Sequence, residues 1–225
     1  MTPREKGAAT TDARIAGRPV PVLMPEAGEI FVLLVGEAPG PRGADKSGVP
    51  FFGDAAGRHL YQVLTRIHAV TLPEAVNRMP WDGAGFLAAG LRPVAHGVAL
   101  GNAFDRCPTD NGIAFRAPLR SELEGEENVA RLTHDLHALI ARGLRGIVTL
   151  GRVATKTIDV VLARAPQLSL IRHAVPHPSA QGLLSMAPDR GRGARMSDLQ
   201  ESWMVHCQQM IIAAGYPADR AGALP

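Results

Sequence analysis

The chain has 225 residues, and its formal net charge of +3 with a sequence pI near 9.2 permits nucleic-acid binding without requiring it. This length supports one domain with a sizeable core, since single cores grow to about 250 residues before chains divide. Two cysteines exclude a disulfide scaffold and a four-cysteine iron–sulfur or metal site, and they fit a reducing cytoplasm.

The beginning of the chain carries no strong structural pattern. Residues 1–18 lack the apolar core of a secretory signal, so we predict a disordered or loosely docked tail there and a single domain over residues 19–225. No apolar run approaches the roughly 20 residues that cross a membrane, and we expect no membrane partner.

The first strong pattern is the apolar run at 30–35, which has the length and β-branched content of a strand buried on both faces. A segment rich in glycine and proline follows over 36–53, and a helical pattern resumes over 55–68. Such a strand, loop and helix are typical of open α/β sheets, which bind ligands beyond the carboxyl ends of their strands.

Strand-like and helix-like patterns alternate over the rest of the chain. Thr71, Pro73 and Glu74 form a helix start signal, with a cap, a first-turn proline and a capping-box glutamate. This alternation indicates a parallel sheet with right-handed crossovers and helices on both faces. The predicted strands are 97–102, 146–150 and 168–175, the predicted helices are 121–141, 152–163 and 197–214, and the predicted loops are 107–118 and 181–195.

Three motifs resemble the signatures of the uracil-DNA glycosylase superfamily. They are GEAPG with GVPFFGDAAG at 36–57, LGNAFDRC at 100–107 and PHPS at 176–179. Three motifs in the right order are far more specific than one, and the resemblance extends over about 30–214. It implies an α/β fold, a three-layer α/β/α sandwich with a central four-stranded parallel sheet. Branches with GEAPG usually carry four cysteines, so this chain resembles a divergent branch that lacks the iron–sulfur cluster.

The resemblance implies excision of uracil from DNA, in which the base is flipped into a pocket and leaves as an anion. His177 then donates a hydrogen bond to the uracil oxygen as negative charge develops on it. Asn102 offers one donor and one acceptor to an edge of the base. Without the motifs, the favoured interpretation of His177 is a histidine in a turn, and that of Asn102 is an asparagine that caps its own backbone.

An aromatic side chain and a carboxylate complete the predicted pocket. Phe51 holds the position of the aromatic that stacks on the flipped base, and Phe52 competes with it because alternation sends one of the pair into the core. Glu37 resembles the acid that positions water in the iron–sulfur branch, and Asp54 resembles an acid of another branch. We prefer Glu37 and keep Asp54 as the second catalytic candidate. The alternatives are a helix cap or surface ion pair for Glu37 and a loop turn for Asp54.

The remaining assignments concern the pocket wall and the DNA. Gly36, Ala38 and Gly40 are assigned to substrate binding, and Gly40 replaces the tyrosine that excludes thymine in the best-known branch. Leu183, with Leu184 beside it, is the predicted apolar wedge that fills the vacated base stack. Arg190, Arg192 and Arg195 follow the PHPS motif and are assigned to the DNA backbone; the alternative interpretation is a solvated loop. The residues assigned to DNA binding are Pro39, Ser179, Leu183, Arg190, Arg192 and Arg195.

These features predict a monomeric, monofunctional glycosylase that acts on uracil in single- or double-stranded DNA and releases free uracil. No lysine is placed by a motif for strand cleavage, and no metal or other cofactor is expected. Two alternatives remain open. One is a glycosylase for hypoxanthine, xanthine or mispaired thymine, and the other is a non-catalytic protein that binds lesions or abasic sites.

Overall fold

Strands and helices alternate along the chain in a computed structural model, which describes residues 14–187 and 193–220. The strands are β1 Val32–Gly36, β2 Val70–Thr71, β3 Val94–Ala95, β4 Val98–Asn102, β5 Gly146–Leu150 and β6 Ile171–Val175. The α-helices are α1 Ala44–Ser47, α2 Ala55–Arg66, α3 Gly83–Ala88, α4 Arg120–Leu123, α5 Glu126–Ile140, α6 Arg152–Arg164, α7 Ala180–Leu184 and α8 Met196–Ala213.

A four-stranded parallel sheet organises these elements, in the spatial order β4-β1-β5-β6. β1 lies between β4 and β5, and its register with β4 places Gly36 opposite Asn102. Every residue of β1, β4 and β5 is buried, because their apolar runs have no polar side to turn toward water. β6 forms an edge of the sheet, and Val175 is its one buried residue.

Alternate residues of the central strands point to opposite faces of the sheet. On one face, Leu34 and Leu100 pack in a core that includes residues of α2 and α8. On the other face, Leu33 and Ile147 pack with residues of α5 and α6. The predicted three-layer α/β/α sandwich is thereby confirmed. Within the described ranges, no helix is both long enough and apolar enough to cross a membrane.

Two predicted helices differ from the structure. Thr71 belongs to β2, which pairs antiparallel with β3, and the helical pattern after it is a 3₁₀ turn at Glu74–Arg78. The single helix predicted over 121–141 is divided into α4 and α5. Gly125 separates them in an extended conformation, with φ −60° and ψ 149°.

Two short helices were not predicted, since no element was predicted at α3 and α7 lies largely in the loop predicted over 181–195. Asp82 begins α3 by accepting a hydrogen bond from the backbone N–H of Gly85, and Ser179 begins α7 by accepting one from Gly182. A side-chain cap of this kind satisfies an N–H that the helix leaves unpaired. Helices of five or six residues are too short to show a 3.6-residue period, so the sequence contains no periodic pattern that predicts them.

The residues before the first strand are partly anchored. Ile15 is buried, and the backbone N–H groups of Ala16 and Gly17 donate to the Asp45 carboxylate at 2.7 and 2.8 Å. Residues 14–18 are therefore docked on the domain, in place of the disordered or loosely docked tail that was predicted over 1–18. Residues 1–13 lie outside the described part of the chain.

An aromatic cluster fixes the loop after β1 onto α2. The Phe52 ring stacks on Phe86 with centroids 4.3 Å apart, and its neighbours are Tyr61 and Trp81 at 5.4 and 5.5 Å. Phe52 is fully buried. Aromatic pairs add a directional preference to apolar burial, so this cluster sets both the position and the orientation of the loop.

We expect the Phe52→Ala substitution to lower the free energy of unfolding by about 3–5 kcal/mol, because it leaves a cavity within the cluster. The matched control is Phe115→Ala, since Phe115 is 47% exposed; its effect should stay within about 0.5 kcal/mol. Urea unfolding followed by circular dichroism measures both. Equal losses for the two variants would contradict this assignment.

Candidate active site

A cavity of about 1060 Å³ lies where the parallel strands end. Its walls come from the loop after β1, from the start of α6 after β5, and from the segment that joins β6 to α7. Distant parts of the sequence meet here because the carboxyl ends of parallel strands share one edge of the sheet. The predicted site residues that line the cavity are Glu37, Ala38, Gly40, Phe51, Asp54, His177 and Ser179.

His177 is held tightly in the turn between β6 and α7. A Cβ on Gly182 would lie 1.9 Å from the His177 carbonyl oxygen, so only glycine permits this approach of α7. The backbone N–H of Ser179 donates to His177 Nδ1 at 3.2 Å. Burial lowers the pKa of His177, so the ring is neutral at pH 7. Its proton then lies on Nε2, which is a hydrogen-bond donor at the cavity wall.

Glu37 presents a half-buried carboxylate to the cavity immediately after β1. Its backbone is fixed, because its carbonyl accepts from the Phe104 N–H at 2.9 Å. Burial raises the pKa of the Glu37 carboxyl. None of the residues that the structure describes donates a hydrogen bond to this carboxylate or forms an ion pair with it. Glu37 is therefore a free acceptor within the cavity.

Asp54 also lines the cavity, but its carboxylate is turned toward the loop before α1. Its Oδ2 accepts from the backbone N–H groups of Ala44 and Gly40, at 3.2 and 3.4 Å. A Cβ on Gly40 would lie 2.2 Å from Asp54 Oδ1, so the glycine makes room for this contact. Burial raises the pKa of Asp54, although the N–H donors act in the opposite direction. These contacts give Asp54 a part in holding the loop.

Phe51 and Phe52 are directed apart by the turn at 51–53, and not by the alternation of a strand. Phe52 is in the core, whereas Phe51 lines the cavity with its ring against Gly36. A Cβ on Gly36 would lie 2.5 Å from Phe51 Cε1. Phe51 has φ of 62°, in the left-handed region that bulky side chains rarely adopt. Backbone strain of this kind clusters at functional sites.

Asn102 is buried beside Phe51 and does not line the cavity. Its Oδ1 lies 2.8 Å from the position of a Cβ on Gly36, so the amide and the Phe51 ring are neighbours. Neither Asn102 Nδ2 nor Oδ1 has a hydrogen-bond partner among the described residues. The structure thus brings His177, Glu37 and Phe51 to one cavity and leaves the Asn102 amide deeper than the Phe51 ring. Gly36 and Pro39 also do not line the cavity.

The end of β4 that carries Asn102 is fixed from the opposite face by α5. Asn128 Nδ2 donates to the Ala103 carbonyl at 2.9 Å, and Arg131 Nη2 donates to the same carbonyl at 3.0 Å and to that of Asn102 at 3.4 Å. These bonds satisfy the backbone only. An unpaired amide that is 4% exposed is unusual, because a buried polar group without a partner costs about 1–3 kcal/mol.

The structure contradicts the prediction that Leu183 is the apolar wedge. Its side chain is 2% exposed and belongs to the main core, because α7 turns this position inward. It cannot enter a base stack without unpacking that helix. Leu184 is the exposed leucine of the pair, at 36%. Arg195 is exposed at the start of α8, and Arg190 and Arg192 lie outside the described residues.

The cavity wall also includes residues that were not predicted as site residues, among them two basic side chains and one aromatic side chain. Arg152 and Lys156 lie four residues apart on α6, and Phe115 belongs to the loop between β4 and α4. The positions of Arg152 and Lys156 in the sequence could have identified them as candidates. In an open α/β sheet each helix that follows a strand begins at the ligand edge, so the first turns of α6 were candidates from their position alone. Phe115 carried no such signal.

Metal binding has no support in the part of the chain that the structure describes. No group of three or more His, Cys, Asp or Glu side chains there has an arrangement that would hold a metal ion. Cys107 and Cys207 are both buried, and burial raises the pKa of the Cys107 thiol to about 12. Neither thiol is therefore a nucleophile at neutral pH.

Comparison with known proteins identifies the family. The Uracil DNA glycosylase superfamily matches residues 26–218. The chain is similar to the solution NMR structure of a Methanosarcina acetivorans protein provisionally classed as a uracil DNA glycosylase, with 14% identity over 86% of this chain and 98% of that chain, at a TM-score of 0.43. It is also similar to the crystal structure of wild-type SMUG2 from Pedobacter heparinus, with 11% identity over 81% and 76% and a TM-score of 0.47.

No curated protein matches the chain. The family match does not depend on the two solved structures, whose sequence identities are low. It covers well over half of the chain and includes the motifs at both ends of the domain together with all four strands of the sheet. The chain therefore belongs to the uracil DNA glycosylase superfamily.

Proposed function

We propose that the protein is a monofunctional DNA glycosylase that removes uracil from DNA and leaves an abasic site. Superfamily membership supports DNA glycosylase activity. The observation that carries the uracil proposal is the buried Asn102 amide, whose nitrogen and oxygen both lack partners. Uracil presents a carbonyl oxygen beside a ring N–H, so one base edge pairs with both amide atoms. Cytosine presents the opposite pattern, so its rejection requires that the protein holds the amide in one orientation when the base is bound.

A base reaches Asn102 only if the Phe51 ring moves away from Gly36, since Phe51 lines the cavity and Asn102 lies deeper. In the proposed complex the ring turns onto the face of the flipped base. Stacking of a base on an aromatic side chain contributes about 1–3 kcal/mol. An off-rotamer side chain costs about 0.5–1.5 kcal/mol, so the new contact offsets the movement of the ring.

The reaction breaks the bond between C1′ of the sugar and N1 of uracil. The electron pair leaves with the base, and a water oxygen then bonds to C1′. Neutral His177 donates its Nε2–H to the uracil oxygen at position two, where negative charge accumulates. The free carboxylate of Glu37 stabilises the cation-like sugar and accepts a proton from the attacking water.

The mouth of the cavity has features that suit a DNA strand. Arg152 and Lys156 place two positive charges on its wall, and Arg195 is exposed at the start of α8. Phosphate contacts of this type fix the position of the strand and carry no sequence information. The Ser179 hydroxyl accepts from Gly182 N–H within α7, and its own proton is available to a phosphate oxygen.

A second candidate activity is supported by the size of the cavity. A volume of about 1060 Å³ exceeds the need of one pyrimidine, and Gly40 contributes no side chain to the wall. A deaminated purine, such as hypoxanthine or xanthine, therefore fits the same space. Excision of these bases would place the protein in the same reaction class with a broader base preference.

Excision is tested by incubating the protein with labelled oligonucleotides that contain uracil, hypoxanthine, xanthine or mispaired thymine, followed by alkali. We expect cleavage at uracil and a loss of about 10²–10³-fold in His177→Ala, because the developing oxyanion loses its donor. His173→Ala is the control, since His173 is on β6 but does not line the cavity. Tight binding to uracil DNA without any cleavage would reject catalysis and support a lesion-binding protein.

The role of Glu37 predicts a pH dependence. Its carboxyl pKa is raised by burial, so protonation begins at higher pH than for an exposed glutamate, whose pKa is about 4.3. We expect kcat/KM to fall as pH decreases through this raised pKa, and the fall to disappear in Glu37→Gln, with activity reduced about 10²–10⁴-fold. Glu29→Gln, at an exposed position before β1, is the control. An unchanged pH profile in Glu37→Gln would refute this role.

Asp54 is expected to act on the loop. Asp54→Asn removes the charge that two backbone N–H groups contact, so we expect it to lower the free energy of unfolding by about 1–3 kcal/mol. Glu37→Gln, which loses no such bond, should unfold like the natural protein. Thermal unfolding and excision rates are compared for both. Loss of excision in Asp54→Asn with unchanged stability would instead make Asp54 the catalytic carboxylate.

A further inference from the structure

The loop between β4 and α4 holds large apolar side chains in solvent. Phe115 is 47% exposed, Ile113 is 65% exposed and Leu119 is 53% exposed. Phe115 also lines the cavity, whereas Ile113 and Leu119 do not. Isolated exposed apolar residues need no explanation, but an exposed aromatic ring at the entrance of a binding cavity is placed to contact what enters it.

The tip of the loop is a defined turn. Asn111 Oδ1 accepts from the backbone N–H groups of Ile113 and Ala114 at 2.9 and 2.8 Å. Thr109 Oγ1 accepts from the Gly112 N–H at 2.9 Å. These side-chain bonds replace the backbone pairs that a strand or helix would supply. The two residues before Phe115 are therefore held by the protein's own hydrogen bonds.

Charged and backbone contacts anchor the rest of the loop. Arg116, next to Phe115, forms a bidentate pair with Glu122 at 2.6 and 2.7 Å and a second ion pair with Asp110 at 2.7 Å. The docked N-terminal segment adds a bond from Ile15 N–H to the Gly112 carbonyl at 2.8 Å. Bidentate arginine–carboxylate pairs fix geometry as well as charge. The Phe115 ring is thus carried on an ordered loop, which lowers the entropy lost on binding.

The surroundings of Phe115 indicate DNA as the partner. The same cavity wall contains Arg152 and Lys156, whose charges suit phosphates. Leu183, the predicted apolar wedge, is buried in the core and is not available to a base stack. An opened duplex exposes the faces of its bases. An aromatic ring at the cavity mouth offers an apolar surface for these faces, since every base has a face that stacks on such a ring.

We propose that Phe115 is a DNA-contacting residue, whose ring stacks on a nucleobase at the cavity mouth beside the extruded nucleotide. This inference rests on the proposed function, because the partner is DNA that enters the same cavity. It adds a contact element outside the three motifs of the superfamily resemblance.

Binding is measured with duplex DNA that carries a tetrahydrofuran abasic-site analogue, which no glycosylase step alters. We expect Phe115→Ala to raise Kd by about 5- to 100-fold, the range that corresponds to one lost stacking contact. Phe115→Trp should bind like the natural protein. Leu119→Ala is the matched control, equally exposed on the same loop and outside the cavity, and should stay within about two-fold.

Fluorescence separates stacking from a general effect on the loop. The Phe115→Trp indole should lose emission when the abasic duplex is added, whereas the indole of Leu119→Trp should not. The chain has two tryptophans, and the natural protein gives their background. Quenching at position 115 together with a weakened Phe115→Ala variant supports the proposal.

Other outcomes overturn it. An unchanged Kd in Phe115→Ala, or an equal loss in Leu119→Ala, would do so. A dimer in sedimentation that Phe115→Ala dissociates, with unaltered DNA binding, would assign the loop to contacts between copies of the chain. If the natural protein binds the abasic duplex through Phe115 but releases no uracil, the proposed function fails and the Phe115 contact stands.

Discussion

The parallel pairing of β1 with its two neighbours is the constraint on which the site depends. It aligns the carboxyl ends of the strands, so that Glu37, directly after β1, and His177, just beyond β6, line one cavity. The pairing is stabilised by apolar runs that are buried on both faces. A shift in register would move the glycine at the end of β1 away from Asn102 and change which side chains meet at the cavity.

Small residues give the loop after β1 its shape. Gly36 leaves room for the Phe51 ring and the Asn102 amide, and Gly40 leaves room for the Asp54 carboxylate. Two carboxylates at one cavity therefore have different environments. The Glu37 carboxylate has no hydrogen-bond or ion-pair partner among residues 14–187 and 193–220, whereas Asp54 is held by backbone N–H groups. Differences of this kind separate a catalytic group from a structural one more clearly than the identity of the residue does.

The sequence predicted the sheet well, because 30–35 is an uninterrupted apolar run and 97–102 and 146–150 are mostly apolar, and such runs have few alternatives to a buried strand. Of the predicted carboxyl-end residues, Glu37 and His177 line the cavity and Asn102 does not. The sequence did not predict α7, whose five residues are too few for a helical period. Because this helix was not predicted, Leu183 was expected to be exposed in a loop, whereas it lies on the buried side of α7.

Side-chain direction was the other limit of prediction. The sequence placed Phe51 and Asn102 at one edge, but only the coordinates show that the aromatic ring lies at the cavity and the amide behind it. The orientation of Asp54 depends on the conformation of the loop it contacts, which no local pattern encodes. Phe115 was missed because its importance comes from the cavity beside it.

The left-handed backbone of Phe51 has a consequence for how the protein tolerates change. A φ of 62° suits glycine far better than phenylalanine, so replacement by glycine would relieve about 1–3 kcal/mol of backbone strain. The same replacement would remove the ring that faces the cavity. Because Phe51 is only 8% exposed and belongs to the main core, the loss of the ring would cost about 3–5 kcal/mol, so packing alone is sufficient to retain the strained residue.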